Sequence, residues 1–189
     1  MGENKAVVSL RGKSLLSWAV GPLSVLVNEL VVVAKNAEEA KFYKKEVSSN
    51  VRILHDIVPN EGPLVGIYSA FKVMESEYCY VHPVDSPIIN AKVVELLFQK
   101  ALDYDGAVIK LGKDLIEPLH AVYKRDSALR VAERALKLGD SSAKILAKET
   151  RVRYVLPDDI RVYDKELVSL LNVNTKNDLK MIENYLRRK

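Results

Sequence analysis

The stretch Glu29-Leu30-Val31-Val32-Val33-Ala34 is a β-branched run with no alternation of apolar and polar positions. Such a run reads as a strand buried on both faces, and strands of that kind belong to parallel sheets covered by helices above and below. Ala37 to Glu46 follows, rich in Glu, Ala and Lys without Gly or Pro, and reads as an exposed helix; Val51-Arg52-Ile53-Leu54 then reads as a second strand. Strand alternating with helix implies right-handed crossovers between parallel strands. The chain is therefore expected to be α/β with a mostly parallel sheet.

The next segment, Glu61 to Pro87, organises the rest. Gly62-Pro63-Leu64-Val65-Gly66-Ile67 opens a helix to about Met74, Tyr78-Cys79-Tyr80-Val81-His82 reads as a buried strand, and Val84-Asp85-Ser86-Pro87 leaves its carboxyl end. Ligand sites of open α/β sheets form at such ends. The two glycines permit close backbone approach, and Pro63 at a first helical position leaves neighbouring N–H groups to face an anion. Asp85 would face phosphates across a hard cation, which makes it a magnesium ligand; the competing reading is an Asx-type turn at a strand exit.

Further along, Ala91 to Leu102 has a helical apolar period and Ala107-Val108-Ile109 reads as a strand. Past Gly112 the pattern changes. Glu117 to Tyr123 is a strand, Asp126 to Leu138 and Ser141 to Ala147 are helices, Arg151 to Leu156 is a short strand and Asp164 to Leu171 a short helix. Asn172-Val173-Asn174-Thr175 is a polar turn before a closing helix, Lys176 to Arg188, capped by Thr175 or Asn174. We expect a single domain over 1–189, divided into 1–112 and 113–189, the second half folding over the sheet edge and contributing a second substrate site.

A length of 189 residues suffices for a core without disulfides. Lys and Arg exceed Asp and Glu by 29 − 25 = 4. That mild excess is not interleaved with aromatics and no zinc spacing is present, which argues against a nucleic-acid partner. No apolar run reaches bilayer length, so no membrane association is expected. One cysteine, Cys79 inside a buried strand, and an N-terminus without an apolar signal core point to a reducing, cytoplasmic setting. His55, His82 and His120 lack metal-ligand spacing and are read as structural.

Four stretches together resemble the molybdenum cofactor guanylyltransferases. They are Met1-Gly2-Glu3-Asn4-Lys5 with Gly12-Lys13-Ser14-Leu15; Asp56 leading to Gly62-Pro63-Leu64-Val65-Gly66-Ile67; Val84-Asp85-Ser86-Pro87; and Asn172-Val173-Asn174-Thr175 with Asp178-Leu179. The resemblance implies a Rossmann-like three-layer α/β/α nucleotidyltransferase fold, with 1–112 as its nucleotide-binding half and 113–189 as its acceptor-binding half, and transfer of GMP from GTP to molybdopterin, with Mg2+ and release of pyrophosphate. The family opens on a first strand, central in its sheet, and a Leu-Ala-Gly-Gly loop with a Ser and an Arg before the Met-Gly; this chain begins at the Met-Gly. The expectation is that Met1 is internal to a longer protein, the alternative being a short form with a rearranged sheet.

By the same resemblance, Lys5 contacts the GTP phosphates, Asp85 holds magnesium, and Asn36 and Asp56 read guanine. Gly62 and Gly66 let the backbone approach the base or ribose, and Asn172 and Asn174 bind the pterin-bearing acceptor. Arg11 and Lys13 are further phosphate contacts. Asn36 also fits a helix N-cap, and Asn174 a turn cap. Molybdenum cofactor assembly proteins are the implied protein partners. The alternatives are a related nucleotidyltransferase using CTP or another phosphorylated acceptor, and a non-catalytic nucleotide- or pterin-binding module.

Overall fold

The computed structural model describes residues 4–48, 51–57 and 61–188. Met1-Gly2-Glu3 of the opening motif, and Val58-Pro59-Asn60 of the loop before Glu61, lie outside the described residues.

A 3-10 turn at Lys5–Val7 leads to a small antiparallel hairpin, β1 (Ser9–Leu10) and β2 (Lys13–Ser14). Ser14 then caps α1 (Leu15–Leu26), its hydroxyl accepting from the Ser17 N–H. β3 (Val31–Ala34), α2 (Ala37–Glu46), β4 (Arg52–His55), α3 (Pro63–Phe71) and β5 (Tyr78–Val81) give the expected alternation. After them come α4 (Ala91–Ala101), β6 (Gly106–Lys110), β7 (Ile116–Lys124), α5 (Arg125–Lys137), α6 (Lys144–Glu149), β8 (Val152–Val155), α7 (Pro157–Arg161) and α8 (Lys176–Arg187).

One expected helix is much reduced. In place of Asp164 to Leu171 the chain makes only a 3-10 turn at Val168–Leu170. Two local features explain it. Leu167 takes a left-handed backbone, φ 54°, and the buried Asp164 carboxylate accepts the N–H groups of Val168 and Ser169 at 3.1 and 2.8 Å. A side chain that captures backbone donors competes with helix bonding. The short α7, opened by Pro157 at its first position, is an addition to what the pattern suggested.

The larger sheet has the order β5-β7-β6-β8, with β7 antiparallel to both neighbours and β6 parallel to β8. β3 and β4 pair in parallel as a separate ribbon. Contacts at both ends show that β3 and β5 run the same way. Glu29, two residues before β3, accepts from the backbone N–H of Glu75 (3.1 Å) and of Ser76 (3.2 Å) and from the Ser76 hydroxyl (2.9 Å), just ahead of β5. At the opposite ends, Ala34 and Val84 pack in one cluster with Ala6. Of the six strands β3 to β8, five therefore point one way and β7 is reversed.

Helices α3, α5 and α6 cover one face of the larger sheet around Leu64, Phe71, Val108, Tyr123, Val131 and Leu146. α4 and α7 cover the other around Val93, Leu97, Ile109, Val122 and Ile160. The result is the expected three layers. Between β3 and β5 no strand intervenes among the described residues, and apolar cavities of about 510 and 250 Å³ lie there.

Candidate functional site

The carboxyl ends of β3 and β5 gather most of the residues singled out from sequence. Asp85 follows β5 and is 19% exposed at its side chain. Lys5 Nζ, carried in by the opening 3-10 turn, donates to Asp85 Oδ2 at 2.8 Å and to Asn174 Oδ1 at 2.5 Å. Three segments distant in sequence thus meet at one ammonium group. The Asp85 carbonyl also accepts the Val173 N–H at 2.7 Å, which ties the polar turn to the strand exit.

A buried network fixes that strand exit from below. Tyr80 O–H donates to His82 Nδ1 at 3.0 Å, and His82 Nε2–H donates to the Ser86 carbonyl at 2.7 Å. That pairing allows one neutral tautomer. The Ser86 hydroxyl donates to Asn172 Oδ1 and accepts from His120 Nε2–H at 3.1 Å, leaving the buried His120 Nδ1 without a partner. Burial lowers the His82 imidazole to about 4 against the opposing effects of the Ser86 carbonyl and the Asp85 charge; burial, with the neighbouring His82 adding to it, lowers His120 to about 3. Both rings are neutral at ordinary pH. They are structural, as read from sequence, but their contact with the Asp85 loop was not legible there, because it depends on pairing across β5 and β7.

Asp56, just past β4, is the second notable group. Its Oδ1 is buried and has no hydrogen-bond partner, lying 4.0 Å from where a Cβ on Gly66 would sit. Burial raises its carboxyl above the usual range, and the Glu39 charge adds to the effect. Lys35 and Glu61, neither singled out from sequence as a site residue, pair beside it at 2.8 Å.

Other singled-out residues are used locally. Asn36 caps α2, its Oδ1 accepting the Glu39 N–H at 2.9 Å. Gly62 takes φ 132°, and a Cβ there would lie 2.6 Å from Ser141 Oγ. Only glycine fits, because the 113–189 half packs onto it. The Leu64 N–H in the first turn of α3 donates to the Ser141 carbonyl at 3.1 Å, so the expected open anion cradle is partly filled by the protein itself. Asn172 is engaged with Ser86, and Thr175 with Asp178 forms a capping box on α8. Arg11 donates to the Leu186 carbonyl at 3.0 Å, and Lys13 lies over the Trp18 ring.

Among the described residues no three His, Cys, Asp or Glu side chains converge as a metal cage. A lone carboxylate such as Asp85 suits Mg2+, which takes one or two carboxylates and draws its other ligands from phosphates and water. The donor set therefore fits that ion.

The comparisons with known proteins agree with this architecture. A probable molybdenum cofactor guanylyltransferase of Methanosarcina mazei is 30% identical over 98% of this chain and 84% of its own length. One from Carboxydothermus hydrogenoformans is 31% identical over 94% of this chain and 86% of its length. The crystal structure of molybdopterin-guanine dinucleotide biosynthesis protein A from Archaeoglobus fulgidus superposes with a TM-score of 0.85 at 27% identity, over all of this chain and 93% of that one. The family model described as a MobA-like NTP transferase domain matches residues 1–153. With the family model spanning most of its length, the chain belongs to the MobA-like NTP transferase domain family and is a nucleotidyltransferase.

Proposed function

We propose that this protein is a molybdenum cofactor guanylyltransferase, moving GMP from GTP to molybdopterin. A phosphate oxygen of the acceptor attacks the α-phosphorus of GTP; the bond to the β-phosphate oxygen breaks and pyrophosphate leaves. Such transfers depend on positioning and on neutralising charge.

The observation that carries the reading is the convergence of Lys5, Asp85 and Asn174 at the carboxyl ends of the strands. Asp85 would hold magnesium, and the ion when bound would supply Lewis-acid neutralisation of the phosphates. Lys5, held between a carboxylate and an amide oxygen, is a compact point charge suited to phosphate oxygens. Asp56 presents a desolvated acceptor without a partner. Guanine offers N1–H and an exocyclic amine to such a carboxylate, and adenine does not. Gly66 beside it leaves room for the base. Asn174 and the Asn172 turn would face the acceptor from the 113–189 half, with Asn172 acting through its hold on Ser86. Asn36 contributes as the cap that sets the start of α2. No helix among the described residues is long and apolar enough to cross a membrane. We propose a cytoplasmic setting, with molybdenum cofactor assembly proteins as partners.

The direct test is pyrophosphate release from GTP in the presence of molybdopterin and Mg2+. Release that needs both GTP and molybdopterin and collapses in Asp85→Asn supports the reading. Equal release from CTP would contradict it.

A further inference from the structure

β7 enters the larger sheet through a bulge. The register between β6 and β7 passes from Val108 opposite Ala121 straight to Ile109 opposite Glu117, so Pro118, Leu119 and His120 have no partner in β6. Pro118 has no N–H to give to a ladder. Two side chains hold the bulge in shape. Tyr123, fully buried, donates its O–H to the Pro118 carbonyl at 3.0 Å, and His120 Nε2–H donates to the Ser86 hydroxyl at 3.1 Å. Bulges beside ligand sites re-aim a side chain, and the residue that this one places is Glu117.

Glu117 stands at the same edge of the sheet as Asp85. β5 and β6 are both antiparallel to β7, so their carboxyl ends lie together, and Glu117 pairs with the next-to-last residue of β6. Ser86, the neighbour of Asp85, reaches His120 only three positions along β7. The 113–189 half closes the other side. Lys144, the first residue of α6, acts on Glu117 as a charge but forms no ion pair with it, and Ser141 packs on Gly62 at the start of α3. Glu117 is thus a half-buried carboxylate that accepts no hydrogen bond among the described residues. Burial raises its carboxyl above the usual range against the opposing Lys144 charge. Among the described residues Asp56 is the other carboxyl that burial raises. A desolvated acceptor without an internal donor is costly unless a ligand supplies one.

Resting on the function proposed above, we propose that Glu117 receives the amine-bearing edge of the acceptor's pterin ring, as Asp56 would receive that of guanine. The two rings carry the same pyrimidine pattern, a ring N–H between a carbonyl and an exocyclic amine. Each presents two parallel donors to one carboxylate. Binding both rings at once calls for two such acceptors, and the molecule has one in each half, Asp56 after β4 and Glu117 at the start of β7. Glu117 selects the acceptor by its ring. A ring without the amine leaves the carboxylate short of a donor, and a buried polar site discriminates against such an analogue.

Binding of free pterin, followed by its own fluorescence with GTP and Mg2+ present, tests this apart from turnover. Lumazine, the same bicycle with a carbonyl in place of the amine, is the comparison. The wild-type protein should bind pterin about tenfold or more tightly than lumazine. Glu117→Gln, nearly the same in shape, should weaken pterin binding by about tenfold or more, with lumazine and GTP affinities unchanged. Asp56→Asn should leave pterin affinity as it was. In turnover, Glu117→Gln should raise KM for molybdopterin and leave KM for GTP alone. Pterin binding that is absent, no tighter than that of lumazine, or undiminished in Glu117→Gln overturns the proposal. Loss of pterin binding in Asp56→Asn with none in Glu117→Gln also overturns it, by placing the ring in the guanine site. The comparison of the two rings needs no variant, so it decides the matter even where Glu117→Gln does not fold. Pyrophosphate release that still needs GTP and molybdopterin, alongside such a result, would keep the guanylyltransferase reading and remove only the role of Glu117.

Discussion

Lys5 Nζ and Asp85 Oδ2 stand 2.8 Å apart although 80 positions separate them in sequence. Asp85 is placed by a strand and Lys5 by a 3-10 turn that packs beside it, so the pair reports how the first residues dock onto the sheet. Both side chains are partly exposed, and the pair adds little to stability. In the function proposed above, the pair would hold opposite charges where a triphosphate and a cation meet.

Asp85→Asn keeps the size of the side chain and removes its charge. The protein should fold with its thermal midpoint changed by a few degrees at most, while Mg2+-dependent turnover falls about 100-fold or more, as for loss of a key electrostatic group. Circular dichroism melting and pyrophosphate release measure the two quantities. Wild-type turnover in Asp85→Asn contradicts the metal-ligand assignment.

Asp56→Asn tests base recognition. An amide cannot accept from both guanine donors, so GTP affinity should drop about 10- to 100-fold, the worth of a hydrogen bond to a charged group. Thermal stability should stay the same or rise at neutral pH. Burial raises the Asp56 carboxyl in the folded state, so its ionised form disfavours folding as pH climbs through that raised value. A large loss of stability with unchanged affinity would place Asp56 in the scaffold instead.

The two buried histidines predict an acid limb. Their folded values, about 4 for His82 and about 3 for His120, lie below the ordinary 6.5. Between 6.5 and 4 the unfolded chain binds more protons, so stability is full above 6.5 and falls as pH drops through that window. At about 1.4 kcal/mol per pH unit, His82 alone contributes about 3 kcal/mol to the loss. Chemical denaturation at pH 7, 5.5 and 4.5 should show the decline, and His82→Gln should flatten it. A stability independent of pH over that range would contradict the neutral network.

Gly62→Ala should destabilise by about 2 kcal/mol or more. A methyl at φ 132° is strained, and it would meet Ser141 Oγ at 2.6 Å and the Ser141 carbonyl at 2.9 Å. Ser141→Gly should rescue only in part, since the carbonyl remains. Denaturant titration of the single and double variants checks this.

Much of the framework was legible because it is written in short-range patterns. The unbroken Val31–Val33 run, the Asn36 and Thr175 caps and the period of Ala91–Ala101 place elements with little help from the rest of the chain. Asp85 could be placed at a strand exit for the same reason. What escaped depends on partners far apart. Asp164 and Leu167 suppress a helix by a capture and a backbone twist that no periodicity marks, and the Ser141 carbonyl takes the Leu64 N–H at the α3 N-terminus from 77 positions away. The Ser86–His120 contact exists because β7 runs antiparallel beside β5, a pairing without a local signature.

The residues around Asp85 and Asp56 are proposed to recognise a guanine nucleotide. Calorimetric titration of the protein with GTP, CTP and ATP in Mg2+, repeated on Asp56→Asn, tests it most directly. Micromolar GTP binding, about −8 kcal/mol, is expected, with CTP and ATP at least tenfold weaker and the preference lost in Asp56→Asn. CTP or ATP binding as tightly as GTP, or a preference that survives the substitution, would contradict it.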